Sequence, residues 1–199
     1  MIEILDTMVQ GSEEWFGARC GSLGASSVKD ACAGGKGLTR KTLACNLVAE
    51  SYTGEKTKIF QNDAMKWGVE TEPQAREYFE FVNGVSVKEV GMVRNSNFPG
   101  SHASPDGLFN DTGVEIKCCQ PTNFIKYLLA NKLPAEYRHQ VQFTMMICEF
   151  DHYWFMSYHP AFPKQLIVKI DRDDKFINEM QEKLKIFFDE MSEIKAKIK

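Results

Sequence analysis

Long apolar runs are missing from this chain. No stretch of about 18 uncharged apolar residues occurs, so no transmembrane helix is expected. The opening residues, Met1 to Asp6, carry neither a basic segment nor a long apolar core, so no secretory signal is expected. Paired cysteines are missing too. Cys20, Cys32, Cys45, Cys118, Cys119 and Cys148 form no C-x-x-C pair, and a chain of this size needs no disulfide staples. They read as reduced thiols of a cytoplasmic protein. No Cys/His cluster has zinc-ligand spacing. The run Gly34-Gly-Lys36-Gly37 lacks the Gly-Lys-Ser/Thr ending of a phosphate-binding loop, so no ATP dependence is expected. Repeats and low-complexity segments are absent. An excess of positive charge is also missing: the net charge is −3. A protein that coats nucleic acid by bulk charge is usually basic, so any nucleic-acid surface here has to be local.

What is present is the mix of a globular protein, with 43% hydrophobic and 26% charged residues. The 199 residues suggest one domain. Ser12 is placed to cap a helix over Glu13 to Cys20 that Gly21 ends. A second short helix is expected over Gly24 to Ala33. Thr39 reads as the cap of a helix reaching about Ser51. Thr71-Glu72-Pro73 reads as a helix start with proline in its first turn, and Ala75, Tyr78, Phe79 and Val82 form a core-facing stripe. Strands are expected over Val85 to Arg94, within Ala103 to Phe109 and over Gly113 to Cys118. Helices then follow near Thr122 to Asn131 and Pro134 to Glu149, with strands at His152 to Tyr158 and Gln165 to Ile170. Asp173 to Lys199 reads as one long helix covering the sheet. The order implies an α/β (α+β) fold, a central mixed β-sheet flanked by helices. Its core spans about residues 11–170, with the last helix appended at about 173–199.

One constellation carries chemistry: Ser104-Pro105-Asp106, then Glu115-Ile116-Lys117. Hydrolysis of a phosphodiester needs an activated water and a stabilised leaving oxygen. Mg²⁺ ions provide both and take oxygen ligands. Asp106 and Glu115 supply carboxylates from adjacent strands. Glu115 and Lys117 are two apart and share one face of a strand. Ile116 points the other way, into the core, and its backbone carbonyl is placed to be a further ligand. The Lys117 ammonium can orient a water or balance phosphate charge. The competing reading is an exposed turn aspartate and a solvent-facing Glu/Lys pair on an edge strand.

Further blocks favour the first reading. They are Gly11-Ser-Glu-Glu-Trp15-Phe-Gly-Ala-Arg19-Cys-Gly-Ser-Leu-Gly-Ala-Ser26, Trp67-Gly-Val-Glu-Thr-Glu72-Pro73-Gln-Ala75, Ser104-Pro-Asp106-Gly, Val114-Glu115-Ile-Lys117 and Tyr137-Arg-His-Gln140-Val-Gln142. In these blocks and their order the chain resembles the lambda exonuclease and YqaJ-type viral recombinase family. That family lies within the PD-(D/E)xK superfamily, with its restriction-endonuclease-like core. The resemblance implies that Asp106, Glu115, the Ile116 carbonyl and Glu72 hold Mg²⁺, or Mn²⁺, with two ions per site. It implies that Lys117 activates water and that Gln140 approaches that water or Lys117. Glu70 is the rival to Glu72, whose other reading is a carboxylate stabilising a helix N-terminus. Arg19, Ser26 and Ser104 match a pocket for a terminal 5′-phosphate, and a guanidinium suits that role through bidentate contacts. The other reading of Arg19 is a cation at a helix C-terminus. Tyr137 either touches DNA or packs.

The activity so implied is Mg²⁺-dependent 5′→3′ exonucleolysis of one strand of linear double-stranded DNA, processive, releasing 5′-mononucleotides and leaving a 3′ overhang. A homotrimeric ring, a single-strand annealing recombinase as partner and a phage or prophage origin in a bacterial cytoplasm are implied with it. The alternatives are an endonuclease on the same core, or a non-catalytic DNA-end-binding protein. The chain departs from the pattern after Lys117, where Cys118-Cys-Gln-Pro-Thr122 replaces a loop that can carry a basic residue; Lys126 is the substitute candidate. Lys29, Lys36, Arg40 and Lys41 either line the DNA path or form a solvated face. Trp15 reads as core, and His102 as a structural hydrogen-bonder.

Overall fold

The computed structural model describes residues 1–34, 38–57 and 62–199. Lys36 and most of the glycine run lie outside the described residues. Among those described, no helix is long and apolar enough to cross a membrane.

The central sheet has four strands in the order β5–β6–β7–β8: Gly107–Phe109, Thr112–Cys118, His152–Tyr158 and Leu166–Asp171. β5 and β8 run antiparallel to their neighbours, and β6 and β7 pair in parallel. Parallel neighbours need a crossover connection. Here it carries α5 (Pro121–Ala130), a 3₁₀ turn (Ala135–Tyr137) and α6 (Arg138–Cys148). β6 is therefore an interior strand, and the alternation of its side chains decides what each face of the sheet does.

Val114 and Ile116 point to one face. They pack with Ala75 and Phe79 of α4 (Asp63–Asn83). Phe79 meets Phe109 and Trp154 edge-on. The opposite face, carrying Glu115 and Lys117, lies on the side of α6. There Val141 and Met145 pack with Tyr153 and Phe155. All residues of α6 from Val141 to Cys148 are buried, because its other side meets a helical layer. That layer holds α2 (Val28–Ala31), α3 (Leu38–Thr53) and α7 (Asp174–Lys197).

Several expectations are corrected. α4 starts at Asp63 behind an Asn62 cap, so Pro73 lies inside the helix and not in its first turn. The start at Thr71 misled because proline is preferred early in helices, whereas here Asn62 provides the terminus and tertiary packing holds the interior. Val82 leaves the core stripe and is 52% exposed. Gly24 to Ala33 is not one helix. It begins as β2 (Leu23–Gly24), continues as a 3₁₀ turn over Ala25–Ser27 and becomes helical only in α2. Leu23 and Gly24 instead pair in parallel with β4 (Ser101–His102). Thr39 lies within α3. The strand expected over Val85 to Arg94 shrinks to β3 (Met92–Asn95), with an isolated bridge from Lys88 to Leu108. Its partner is β1 (Ile2–Leu5), which the sequence reading missed. α7 does not cover the sheet: it packs its buried stripe of Ile177, Met180, Leu184, Phe187 and Met191 into the helical layer, since α6 already occupies that face.

Candidate active site

The β5–β6 register pairs Gly107 with Val114. Continued by one residue, it sets Asp106 opposite Glu115. β5 stops there, and the Asp106 carboxylate completes the edge. Its Oδ2 accepts the backbone N–H of Ile116 at 2.7 Å. Within a strand, the N–H and C=O of one residue point to the same side. The Ile116 carbonyl therefore faces the open edge beyond β5, beside Asp106.

On the α6 face, Oε1 of Glu115 accepts two hydrogen bonds, from the Lys117 ammonium and from Gln140 Nε2. Glu115 is 1% exposed, which rules out the solvent-facing edge-strand reading. Tyr137, in the turn before α6, places its ring 5.7 Å from Lys117 Nζ and packs on Phe155. Gln140 thus reaches Glu115, and Tyr137 both packs and borders the lysine.

Glu72 joins from α4, and Arg76 one turn later donates to its Oε1 at 2.8 Å. Arg76 also meets Glu89 at 2.6 Å, and its buried Nε has no partner among the described residues. Arg76 was not singled out in the sequence, though its i,i+4 spacing from Glu72 was the available signal. Glu70 is exposed.

The electrostatics show an under-compensated cluster. Burial, reinforced by the charge of Asp106, pushes the Glu72 carboxyl up to about 7. Burial also pushes Glu115 up to about 7, against the pull of Lys117 and with help from Asp106 and Glu72. Asp106 is raised by burial despite Lys117 and the Ile116 N–H. For Lys117, burial opposes the charge, but Glu115 and Asp106 outweigh it and hold the ammonium protonated well above its usual range. Three carboxylates thus crowd one lysine and one arginine that is shared with Glu89. This donor set, with a carbonyl on the same edge, suits a hard divalent cation. It is not a ready-made side-chain cluster: no three His, Cys, Asp or Glu converge as metal ligands among the described residues. Glu72 is turned to Arg76, which leaves Asp106, Glu115 and the Ile116 carbonyl as the groups that would hold an ion.

The three residues expected to form a phosphate pocket come from three separate segments. Arg19 is the C-cap of α1 (Glu13–Ala18), but its side chain does not remain at the helix end. Nε donates to His102 Nε2 at 3.0 Å, and the guanidinium lies 3.9 Å over the Trp15 ring. Burial lowers its pKa to about 10, so it stays cationic at neutral pH. Ser26 is exposed on the 3₁₀ turn two residues past Gly24, and the buried Ser104 Oγ has no partner among the described residues. No hydrogen bond joins Arg19, Ser26 and Ser104 to one another among the described residues.

The basic cluster is not a single group. Arg40 is committed to Glu190 of α7 at 2.5 and 2.9 Å, while Lys29 and Lys41 are exposed. Lys126 is exposed on α5. Trp15 is buried, as the sequence suggested. His102 is a hydrogen-bonder, as expected, and its partners are the Arg19 and Ser22 side chains.

Known proteins share this fold. The chain is similar to an alkaline exonuclease from Laribacter hongkongensis (LHK-Exo) at 33% identity, with a TM-score of 0.85 over 93% of this chain and 95% of that one. LHK-Exo in complex with dAMP matches over the same shares with a TM-score of 0.86. A phage related exonuclease from Haemophilus somnus 129PT shares the fold at 15% identity, with a TM-score of 0.69 over 89% and 96% of the two chains. No curated protein gives a significant match. The model of the YqaJ-like viral recombinase domain matches residues 14–151, which contain every residue of the centre just described, and the chain belongs to that family.

Proposed function

We propose that this protein is a divalent-metal-dependent exonuclease that degrades one strand of linear duplex DNA from its 5′ end. The convergence of Asp106, Glu115, Lys117 and the Ile116 carbonyl at the end of β5 carries the reading. Asp106, Glu115 and the Ile116 carbonyl would hold Mg²⁺ or Mn²⁺, and Glu72 would meet a second ion or its water shell. A bound ion there supplies Lewis-acid polarisation of the phosphoryl group and lowers the pKa of a coordinated water.

The chain's own groups do the rest. Lys117 stays protonated and donates N–H bonds that orient a water toward phosphorus and offset the charge of the phosphate. Gln140 holds Glu115 from α6, so the carboxylate keeps its direction. Arg19 takes the terminal 5′-phosphate, with Ser26 and Ser104 as hydroxyl partners. Release of 5′-mononucleotides fits the LHK-Exo relative, which was solved with dAMP. A processive homotrimeric ring, a 3′ overhang as product and a single-strand annealing recombinase as partner belong to the same reading.

The test is digestion of linear duplex DNA with Mg²⁺, using 5′-phosphorylated and 5′-hydroxyl ends, a closed circle and the Lys117→Ala protein. Loss of the 5′-ended strand alone, absent in the variant and on the circle, is the expected result. Cutting of the circle would establish an endonuclease instead. Absence of any metal-dependent cleavage would remove the nuclease reading.

A further inference from the structure

A helix end does not decide where a long guanidinium points, yet Arg19 is fixed from three sides. Nε is bound to His102 Nε2 at 3.0 Å. The Trp15 ring lies beneath it, and Trp15 is itself anchored by its Nε1–H to the Gly91 carbonyl at 2.7 Å. The backbone of Gly24 closes the third side: a Cβ there would come within 3.3 Å of Arg19 Nη2 and 2.9 Å of His102 Nε2. His102 is 1% exposed, and its Nδ1 lies 2.8 Å from Ser22 Oγ.

The proton count follows from these contacts. Arginine only donates, so His102 Nε2 accepts and the ring proton sits on Nδ1, which donates to Ser22. Burial first, and the Arg19 charge second, push the imidazole pKa down to about 3 and keep it neutral. His102 thus takes one N–H of Arg19 without cancelling its charge. An aspartate at that place would hold the guanidinium equally well but neutralise it, and an anionic ligand would gain little.

We propose that His102, held by Ser22, is a positioning residue that fixes Arg19 with its two terminal nitrogens toward the 5′-phosphate of a DNA end. The proposal rests on the reading of Arg19 as the phosphate contact. His102 stands four residues before Asp106, on the segment that runs into the carboxylate centre. Four extended residues span at most about 13–14 Å. One short stretch of backbone therefore ties the phosphate contact to the metal-binding aspartate and sets the distance between them.

The experiment is single-turnover release of the first nucleotide from 5′-phosphoryl and 5′-hydroxyl duplexes, read as the ratio of the two rates. It compares wild type, Arg19→Ala, His102→Leu, His102→Gln, Ser22→Ala and the Arg19→Ala/His102→Leu double variant. Arg19→Ala is expected to bring the ratio close to one. His102→Leu is expected to lower it about tenfold or to the Arg19→Ala value, whichever is reached first. His102→Gln, which restores an acceptor near the place of Nε2, should recover most of it. The double variant should match Arg19→Ala alone, because His102 acts through Arg19. Should His102→Leu fail to fold, Ser22→Ala and His102→Gln decide: a lowered ratio in the first and a near-normal ratio in the second support the proposal. A wild-type ratio in His102→Leu, or in Ser22→Ala where that variant decides, overturns it. So does an additive double variant. If Arg19→Ala keeps the wild-type ratio, the phosphate reading of Arg19 has failed, and the positioning role falls with it.

Discussion

Asp106 reaches across the end of β5 and accepts the backbone N–H of Ile116 through Oδ2 at 2.7 Å. The contact serves the fold, and it bears on the chemistry proposed for this edge. It closes the ladder where β5 stops, and it leaves Oδ1 and the Ile116 carbonyl on the same open edge. Asparagine keeps an oxygen for the N–H but removes the charge. Asp106→Asn is therefore expected to fold, with a melting temperature within a few degrees of wild type, and to lose at least about 100-fold in cleavage rate with Mg²⁺. Calorimetry and a strand-degradation assay on the same preparation check both halves. Loss of activity together with loss of folding would reduce Asp106 to a structural residue.

Gln140 and Lys117 share Oε1 of Glu115 as acceptor. Gln140→Leu removes one donor with little change in volume, so Glu115 is held from one side only. A fall in rate of about 10–100-fold is expected, larger at low Mg²⁺ than at saturating Mg²⁺. Gln140→Glu is expected to be worse, because it sets a second carboxylate against Glu115. A rate series over Mg²⁺ concentration distinguishes the two variants. Equal rates in Gln140→Leu and wild type at every Mg²⁺ level would remove Gln140 from the site.

The raised carboxylates set the sign of a pH effect on the metal-free protein. Glu72 and Glu115 titrate near 7 in the fold, against about 4.3 in an unfolded chain. The folded state therefore holds protons that the unfolded state has released. This stabilising contribution is complete below about pH 4 and is lost as pH rises through 7. In a chelator, the melting temperature contribution of these groups should fall between pH 5 and 8. Mg²⁺, by binding the folded state, should restore it most at pH 8. Glu72→Gln, which mimics the protonated acid, should flatten the slope. An identical slope in wild type and Glu72→Gln would show that Glu72 does not titrate in this window.

Glu50 works in the opposite direction. It is 3% exposed and accepts from Gly21 N, Lys56 Nζ and Thr57 N at 3.1, 2.7 and 3.0 Å. Burial would raise its pKa, but these donors outweigh burial and hold it below the usual range. Its contribution is present above the unfolded pKa and is lost as pH falls through the folded value. Glu50→Ala leaves Lys56 and two backbone donors without their acceptor. The expected cost is about 3 kcal/mol, which for a chain of this length lowers the melting temperature by roughly 6–12 °C. Because Gly21 follows Arg19 by two residues, 5′-phosphate preference should weaken as well. Thermal melts at pH 7 and pH 4 test this: the deficit of the variant should shrink at the lower pH.

The placement of the centre's side chains was more legible in the sequence than the architecture around them. Glu115 and Lys117 alternate with Ile116, and a strand period alone sets them on one face. Asp106 follows from the turn at Pro105-Asp106-Gly107. Tertiary partners were less legible. β1 was missed because four residues paired only with β3 give no periodic signal of their own. The pairing of Arg40 with Glu190 joins positions 150 apart, which no local pattern encodes. His102 was readable as a hydrogen-bonder, but its partner, 83 residues away, was not. α7 was readable as a helix with one apolar stripe. Which layer it covers depends on α6 being buried on all sides.

Pro73 lies at the eleventh position of the 21-residue α4, directly after Glu72. Its ring nitrogen cannot donate to the carbonyl of Val69, and interior proline costs an unstrained helix about 3 kcal/mol. The residue faces solvent, so core packing does not offset that cost. Pro73→Ala is therefore expected to stabilise the protein by about 1–3 kcal/mol, since it restores the missing hydrogen bond and improves helix propensity. It should also lower the cleavage rate, because the replacement re-forms the turn that carries Glu72 and Arg76. The measurement is a denaturation midpoint beside a rate at saturating Mg²⁺. Higher stability with unchanged rate would make the proline a tolerated defect; lower stability would mean that the packing of α4 depends on the proline.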